Sequence, residues 1–455
     1  MQTAEGASRE SGQPHLKRVL SLWDLVYYGI ILTSPIAAVP LFGEAQVLSR
    51  GHTVTTLLLA MTAMSVTAVS FGRMANVYPS SGSVYSYISK ALNPHVGFIL
   101  GWAMFLEYLF QPIQNCLYAV LAIHRMVPQV PFALLAAITV GFITVMTVQG
   151  IKFTARTNEV LLGFMLVVTV IFLVQAFRYI VLHQTIGALF SLKPIYNPAT
   201  FNLRALAAGT SFAALVFIGF DGVSILAEEV KNPKRNVLLA AVLVCLFTGL
   251  FSGLQVYLAQ LTWPDYSTLQ NQETAFMDVA RIAGGPLLFA AYGIVLLVSS
   301  MACGLAGHVG AARLLYSMGR DDVIPKKIFG HLGKKGSPVY NEWIVGILAY
   351  VAVLTIPWER AAEIVTFGAL LAFTSVNLVA LLHFWFGPNA TGNRNFFVDA
   401  FVPAFGGVFC FVLLIGLQPW TKYAGLIWLA VGIMYSGYRT RMFTVRPTLF
   451  DFNET

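Results

Sequence analysis

YYGIILTSP, residues 27–35, and FIGFDG, residues 217–222, decide the fold. Each interrupts a long apolar run with residues that a regular transmembrane helix resists: Gly29 and Pro35 in the first, Gly219, Asp221 and Gly222 in the second. A bilayer supplies no water to the backbone groups such residues release, so a break of this kind survives only where it lines a protein cavity. Paired breaks at corresponding places in two halves of a chain point to the binding site of a secondary transporter.

Outward from these breaks the composition is that of a polytopic membrane protein. The 455 residues are 57% hydrophobic and 11% charged, with mean hydropathy +0.73, against roughly 25% charged in ordinary soluble domains. Apolar stretches of about 20 residues, the length that crosses a bilayer core, predict twelve helices. They fall at 19–47, 53–77, 95–123, 131–150, 157–181, 205–229, 236–262, 286–317, 340–356, 361–385, 399–417 and 421–437. The broken first and sixth spans are five apart, an odd number, so a second set of five enters from the opposite side, as in an inverted repeat. The expected fold is all-α: a tail at 1–18, a five-helix repeat at 19–181, an inverted five-helix repeat at 205–385, two additional helices at 399–437 and a tail at 438–455.

The net charge of +8 needs no nucleic-acid partner. With the N-terminus in the cytoplasm, 20 of the 28 Lys and Arg fall on the inner side, the excess that the positive-inside rule demands. Both tails are therefore expected in the cytoplasm, with lipid as the protein's surroundings; the resemblance described below implies a bacterial inner membrane. Arg9, Lys17 and Arg18 precede an apolar run without a small-residue cleavage site, so the first helix is expected to stay uncleaved. Cys116, Cys245, Cys303 and Cys410 all fall inside spans without metal-ligand spacing, which makes them reduced core residues. Neither a metal nor another cofactor is expected.

The chemistry must sit among the helices. In the first break, carbonyls around Gly29, Ile30, Ile31, Thr33 and Ser34 lose regular partners. Half-helix ends then offer N–H groups to an anion and carbonyls to a cation, which suits an amine-bearing or zwitterionic solute. In the second, around Phe217, Gly219 and Gly222, Asp221 lies ten residues from Lys231 and seventeen from Arg204, deep in the span. A charge there costs about 2.5–3.5 kcal/mol, so it should face a cavity or a partner. It can hold a substrate ammonium, carry a proton or accept from unwound backbone. Ser224 follows at i+3, while Glu228 and Glu229 stand among the basic residues at the inner end, as a gate or as a solvated helix terminus. In the third span Glu107, Gln111, Gln114 and Tyr118, with Tyr108 beside them, form a polar stripe that lines a site or binds helices together. In the eighth, Gly304, Gly307 and Gly310 permit close packing, and Ser299 and Ser300 would complete a sodium site with first-break carbonyls.

Four blocks in order carry a resemblance: LNPHVGFILGW with LEYLFQPIQN (92–102, 106–115), FIGFDGVSILAEE (217–229), ARLLYSMGRDDVIP (312–325) and FGALLAFTSVNLVALLHFW (367–385). Through them the chain resembles the amino acid-polyamine-organocation (APC) transporter superfamily, most closely its bacterial putrescine importers. The resemblance implies five plus five inverted helices, transport driven by a proton or sodium gradient, and substrate contacts from Glu107, Tyr108 and Asp221. The chain departs from many members in having Gly29 followed by Ile30 rather than Gly-x-Gly, and from lysine-bearing, proton-coupled members in that LLGFMLVVTVIFLV (161–174) has no lysine. The coupling ion, H+ or Na+, stays open, as does the oligomeric state. The expected function is import of a polyamine such as putrescine, or of an amino acid, by alternating access. Glu107 and Asp221 would meet the two ammonium groups of a diamine. An exchanger of the same fold is the near alternative, and a channel or substrate sensor the distant one. An enzyme is not expected.

Overall fold

The computed structural model describes residues 20–78, 87–89, 91–150, 155–320, 324–333, 337–387 and 394–444. Among these the chain is helical, with one isolated parallel β-bridge between Leu20 and Val230. The first predicted span is two helices, α1 (Leu22–Thr33) and α2 (Phe42–Leu48). Then come α3 (Thr53–Val77), α4 (Pro94–Met126), α5 (Phe132–Val148) and α6 (Ala155–His183). The second broken span is α7 (Leu203–Ala213), a 3-10 turn Ala214–Phe217 and, past the break, a 3-10 segment Phe220–Glu229. The chain continues as α8 (Pro233–Thr262), α9 (Ala275–Arg320), α10 (Val339–Thr355), α11 (Trp358–Leu381), α12 (Val402–Gly416) and α13 (Pro419–Arg439). Among the described residues eight helical stretches are long and apolar enough to cross a membrane, and Leu22–Thr33, Phe132–Val148 and Val339–Thr355 are shorter apolar helices.

Local chemistry sets the helix starts. Ser21 and Asp24 form a reciprocal capping box at α1, the Ser21 N–H donating to Asp24 Oδ2 at 2.8 Å. Asn93 caps α4, accepting the His95 N–H at 2.8 Å, and Pro94 takes the first helical position, where a missing N–H costs nothing. Asn202 caps α7 through the Ala205 N–H at 3.0 Å. The stretch 263–285, which falls between two predicted spans, is partly helical. Helix α9 begins at Ala275 and kinks at Gly285, whose φ of 77° precedes Pro286.

Packing separates a lipid-facing surface from an interior. On α6, Val160, Val167, Val170, Val174 and Phe177 are exposed while Val168, Phe172, Ala176 and Ile180 are buried, two faces of one helix. Apolar side chains exposed in this way face hydrocarbon, so helix association rests on fit and hydrogen bonds rather than on exclusion of water. Inside, Phe220 is clamped by Phe71 of α3 at 5.5 Å and Phe373 of α11 at 5.1 Å between ring centres. Glycines bring α9 against α4: a Cβ at Gly307 would lie 3.2 Å from Pro112, and one at Gly310 3.5 Å from Tyr108. Trp102 of α4 and Trp428 of α13 stack with centres 4.9 Å apart. Each indole N–H donates to the other residue's carbonyl, at 3.1 and 2.8 Å.

Candidate functional site

Helix α1 runs unbroken through Gly29, and the chain leaves it at Ser34, φ 63° and ψ 129°, followed by Pro35. Pro35 has no N–H to return to the Ile31 carbonyl. The Ile30 carbonyl, expected to be free, accepts the Ser34 N–H at 3.0 Å. Thr33 Oγ1 donates to the Gly29 carbonyl at 3.1 Å and lies 3.0 Å from Thr248 Oγ1. The break therefore opens one turn later than the sequence reading placed it. Gly29 serves packing instead, since a Cβ there would come within 2.4 Å of Val244 and 2.9 Å of Val223. Past the break, Gln255 Nε2 donates to the Pro35 carbonyl at 2.8 Å, tying the irregular backbone to α8.

The second break turns on Gly219, φ 113°. A Cβ on Gly219 would lie 3.0 Å from the Leu32 carbonyl oxygen, and one on Gly222 2.5 Å from the Leu32 side chain. The two interruptions thus touch, with Leu32 at the crossing. Asp221 stands half-buried in this unwound segment, where the Gly222 N–H donates to the Gly219 carbonyl at 3.1 Å. Ser224 Oγ donates to the Asp221 carbonyl at 2.7 Å.

A cavity of about 120 Å³ lies against this crossing, lined by Thr33, Ser34, Leu215 and Ile218 of the breaks. Gln111, Gln114 and Asn115 of α4, Ser299, Ser300 and Cys303 of α9 and Trp358 of α11 form other walls. A larger cavity of about 500 Å³ adjoins it, sharing Leu32, Ser34, Gln111, Ser299 and Cys303, and extends past Tyr108 toward Leu161, Leu162 and Arg313. Of the sequence candidates, Ile31, Thr33, Ser34, Tyr108, Gln111, Ser299 and Ser300 line these spaces. Gly29, Ile30, Glu107, Phe217, Gly219, Asp221, Gly222 and Ser224 do not. Glu107 packs on Gly368 of α11, whose Cβ would meet it at 2.9 Å, and lies within electrostatic reach of Asp221. The side chains of Glu228 and Glu229 lie outside the described set. His308 is buried with Nε2 2.9 Å from the Glu342 carbonyl and lines neither cavity.

Sequence reading missed Trp358 and misjudged Cys303. Trp358 is 2% exposed with an unpartnered Nε1, and it opens α11 three residues before the predicted start of that span. Cys303, expected as a reduced core residue, is a free thiol only half-buried and sits on the wall of both cavities. Chemically the lining is hydroxyl, amide, thiol and apolar, with Arg313 its charged residue among the described ones. Such a surface recognises a small solute by hydrogen bonds.

The amino acid permease family model matches residues 32–386. The low-affinity putrescine importer PlaP of Escherichia coli (strain K12) is 31% identical over 430 residues, 94% of this chain and 95% of that protein. The branched-chain amino acid permease BcaP of Bacillus subtilis (strain 168) is 25% identical over 463 residues, 93% of each chain. A methylthioribose transporter of the same organism is 25% identical over 467 residues, 94% of this chain and 95% of its own. These are transport proteins rather than enzymes, alike over nearly their whole length and consistent with a helical, multi-pass architecture. The chain belongs to the amino acid permease family of the APC superfamily.

Proposed function

We propose that the protein is a secondary active importer of a small amine-containing solute, a polyamine such as putrescine or an amino acid, working by alternating access with H+ or Na+ as coupling ion. In this reading the chain crosses the bacterial inner membrane twelve times with both termini in the cytoplasm. Its repeats are 19–181 and 205–385, the second inverted, with 399–437 outside them. The observation that carries the proposal is the cavity against the contact of the two breaks, floored by irregular backbone and walled by polar side chains of α4 and α9. Ser299 and Ser300, beside Thr33 and Ser34, are the candidates for coupling-ion ligands.

The putrescine importer among the relatives supports a polyamine. The lining favours a second reading, an amino acid, because Glu107 and Asp221 stand behind the cavity while Arg313 and the Trp358 indole N–H offer donors to a carboxylate. The test is uptake of labelled putrescine into proteoliposomes under an imposed proton or sodium gradient, with competition by a panel of amino acids. Gradient-dependent accumulation, lowered at least tenfold by Tyr108→Ala and Asp221→Asn in protein that still reaches the membrane, is expected on losing about 1.4 kcal/mol or more. Accumulation of no amine under any gradient rejects the transporter reading.

A further inference from the structure

A third cavity, of about 480 Å³, lies at the end of α8 remote from the Leu20–Val230 bridge. It is bounded by the α2–α3 corner at Arg50 and Gly51, the connection that holds Lys193, and the end of α8 at Gln260. We propose that it binds a ligand carrying an oxyanion beside a hydrogen-bond donor, a site separate from the transport cavity.

Charge is the first argument. Arg50 and Lys193 both line the space and form no ion pair among the described residues. The acid beside them, Asp265, has its Oδ1 engaged by the Ser267 N–H at 3.0 Å and the Ser267 hydroxyl at 2.6 Å. Asp265 keeps its own charge, so the lining carries two cations against one carboxylate, a net positive balance that favours an oxyanion through charge-assisted hydrogen bonds. The second argument is independent of charge. Gln260 is only 5% exposed and lines the cavity; its Nε2 donates to the Gly51 carbonyl, and its Oε1 has no partner among the described residues. A buried amide oxygen without a donor is a group that a ligand N–H or O–H would satisfy.

The walls are fixed in advance. Gln184 Nε2 donates to the Leu261 carbonyl at 2.8 Å, and the Tyr257 hydroxyl to the Leu189 and Ser191 carbonyls at 2.8 and 3.0 Å. Thr55 Oγ1 donates to the Ile195 carbonyl at 2.5 Å, and His52 Nε2 accepts the Asn197 N–H at 3.1 Å. Bound at these points to α3 and α8, the connection holds Lys193 opposite Arg50 without collapsing on it, so little ordering cost remains for the ligand. An organic phosphate with a hydroxyl, free or as a phospholipid headgroup, has the required groups.

The full-length protein in detergent is titrated with glycerol 3-phosphate and with sulfate, an oxyanion without a donor, and melting temperature is read. Arg50→Gly with Lys193→Ala should weaken both ligands about tenfold or more. Glycine accepts the φ of 52° at Arg50 and Lys193 is exposed, so the fold tolerates both changes. Gln260→Leu should weaken glycerol 3-phosphate more than sulfate, because it removes the acceptor for the ligand's donor, while the lost tie to the Gly51 carbonyl bears on both ligands alike. A parallel arm measures phosphatidylglycerol retained from nanodiscs by native mass spectrometry. Loss in the double variant in the soluble arm assigns a free solute, and loss in the lipid arm assigns a headgroup. Equal behaviour of wild type and both variants in both arms overturns the site.

Discussion

Gly219 and Gly141 respond to the same substitution in opposite ways. Gly219 holds φ 113° against the Leu32 carbonyl, so Gly219→Ala adds a left-handed penalty of about 1–2 kcal/mol to a contact at 3.0 Å. It should lower the melting temperature and cut uptake about tenfold or more. At Gly141, inside α5, a Cβ meets nothing within 4 Å. Gly141→Ala should therefore raise stability by about 0.5–1 kcal/mol through the entropy of the unfolded chain, measured by thermal melts in detergent. A sequence shows that a glycine is present but not which of these it is. Gly29 illustrates the difficulty: its reason for being small is Val244, more than two hundred residues away, and nothing local announces that neighbour. Asp221 was legible as a buried acid with three candidate roles. Which of those roles it takes depends on the backbone geometry around Gly219, which composition does not encode.

Elements were read more securely than residues, because the bilayer sets their length. Spans predicted at 53–77 and 157–181 are found as Thr53–Val77 and Ala155–His183. A departure is Ala275 to Gly284, which lies between two predicted spans. It is helical, with Phe276 packed on Phe42, Phe172 and Tyr292 at 5.6, 4.8 and 5.2 Å, partners that only the assembled fold supplies. Two predictions belong at this scale. The Lys231 N–H donates to the Leu20 carbonyl at 2.9 Å beside the Leu20–Val230 bridge, joining the segment before α1 to the end of the second broken span. Lys231→Pro removes that donor, worth about 0.5–1.5 kcal/mol, and should speed amide exchange at the start of α1 while leaving α8 protected. Gly307→Leu should drive α4 and α9 apart at Pro112, with a destabilisation of about 1–3 kcal/mol seen as a lower yield of monodisperse protein.

For the molecule as a whole, the distribution of basic residues makes orientation testable. Lys193→Cys should react with a membrane-impermeant maleimide on intact cells, and Met442→Cys only after permeabilisation. Both are made together with Cys303→Ala, because Cys303 lines the cavities, while Cys116, Cys245 and Cys410 are buried and give little background. The reverse pattern would invert the membrane topology. The helical, multi-pass character was legible from hydropathy alone, since composition and spacing are local properties. The cavity was legible only in outline: residues of the breaks and, of the α4 stripe, Gln111 and Gln114 line it while Glu107 and Tyr118 do not, and Trp358 and Cys303 join it through contacts between distant spans. The reciprocal indole clasp of Trp102 and Trp428 has a consequence for biogenesis. Water cannot stand in for either carbonyl in hydrocarbon, so Trp102 stays unsatisfied until α13 has been threaded into the bilayer. Assembly closes only when α4 and α13 have both been inserted, and a chain cut before α13 would be an incomplete body for quality-control proteases rather than a smaller working carrier.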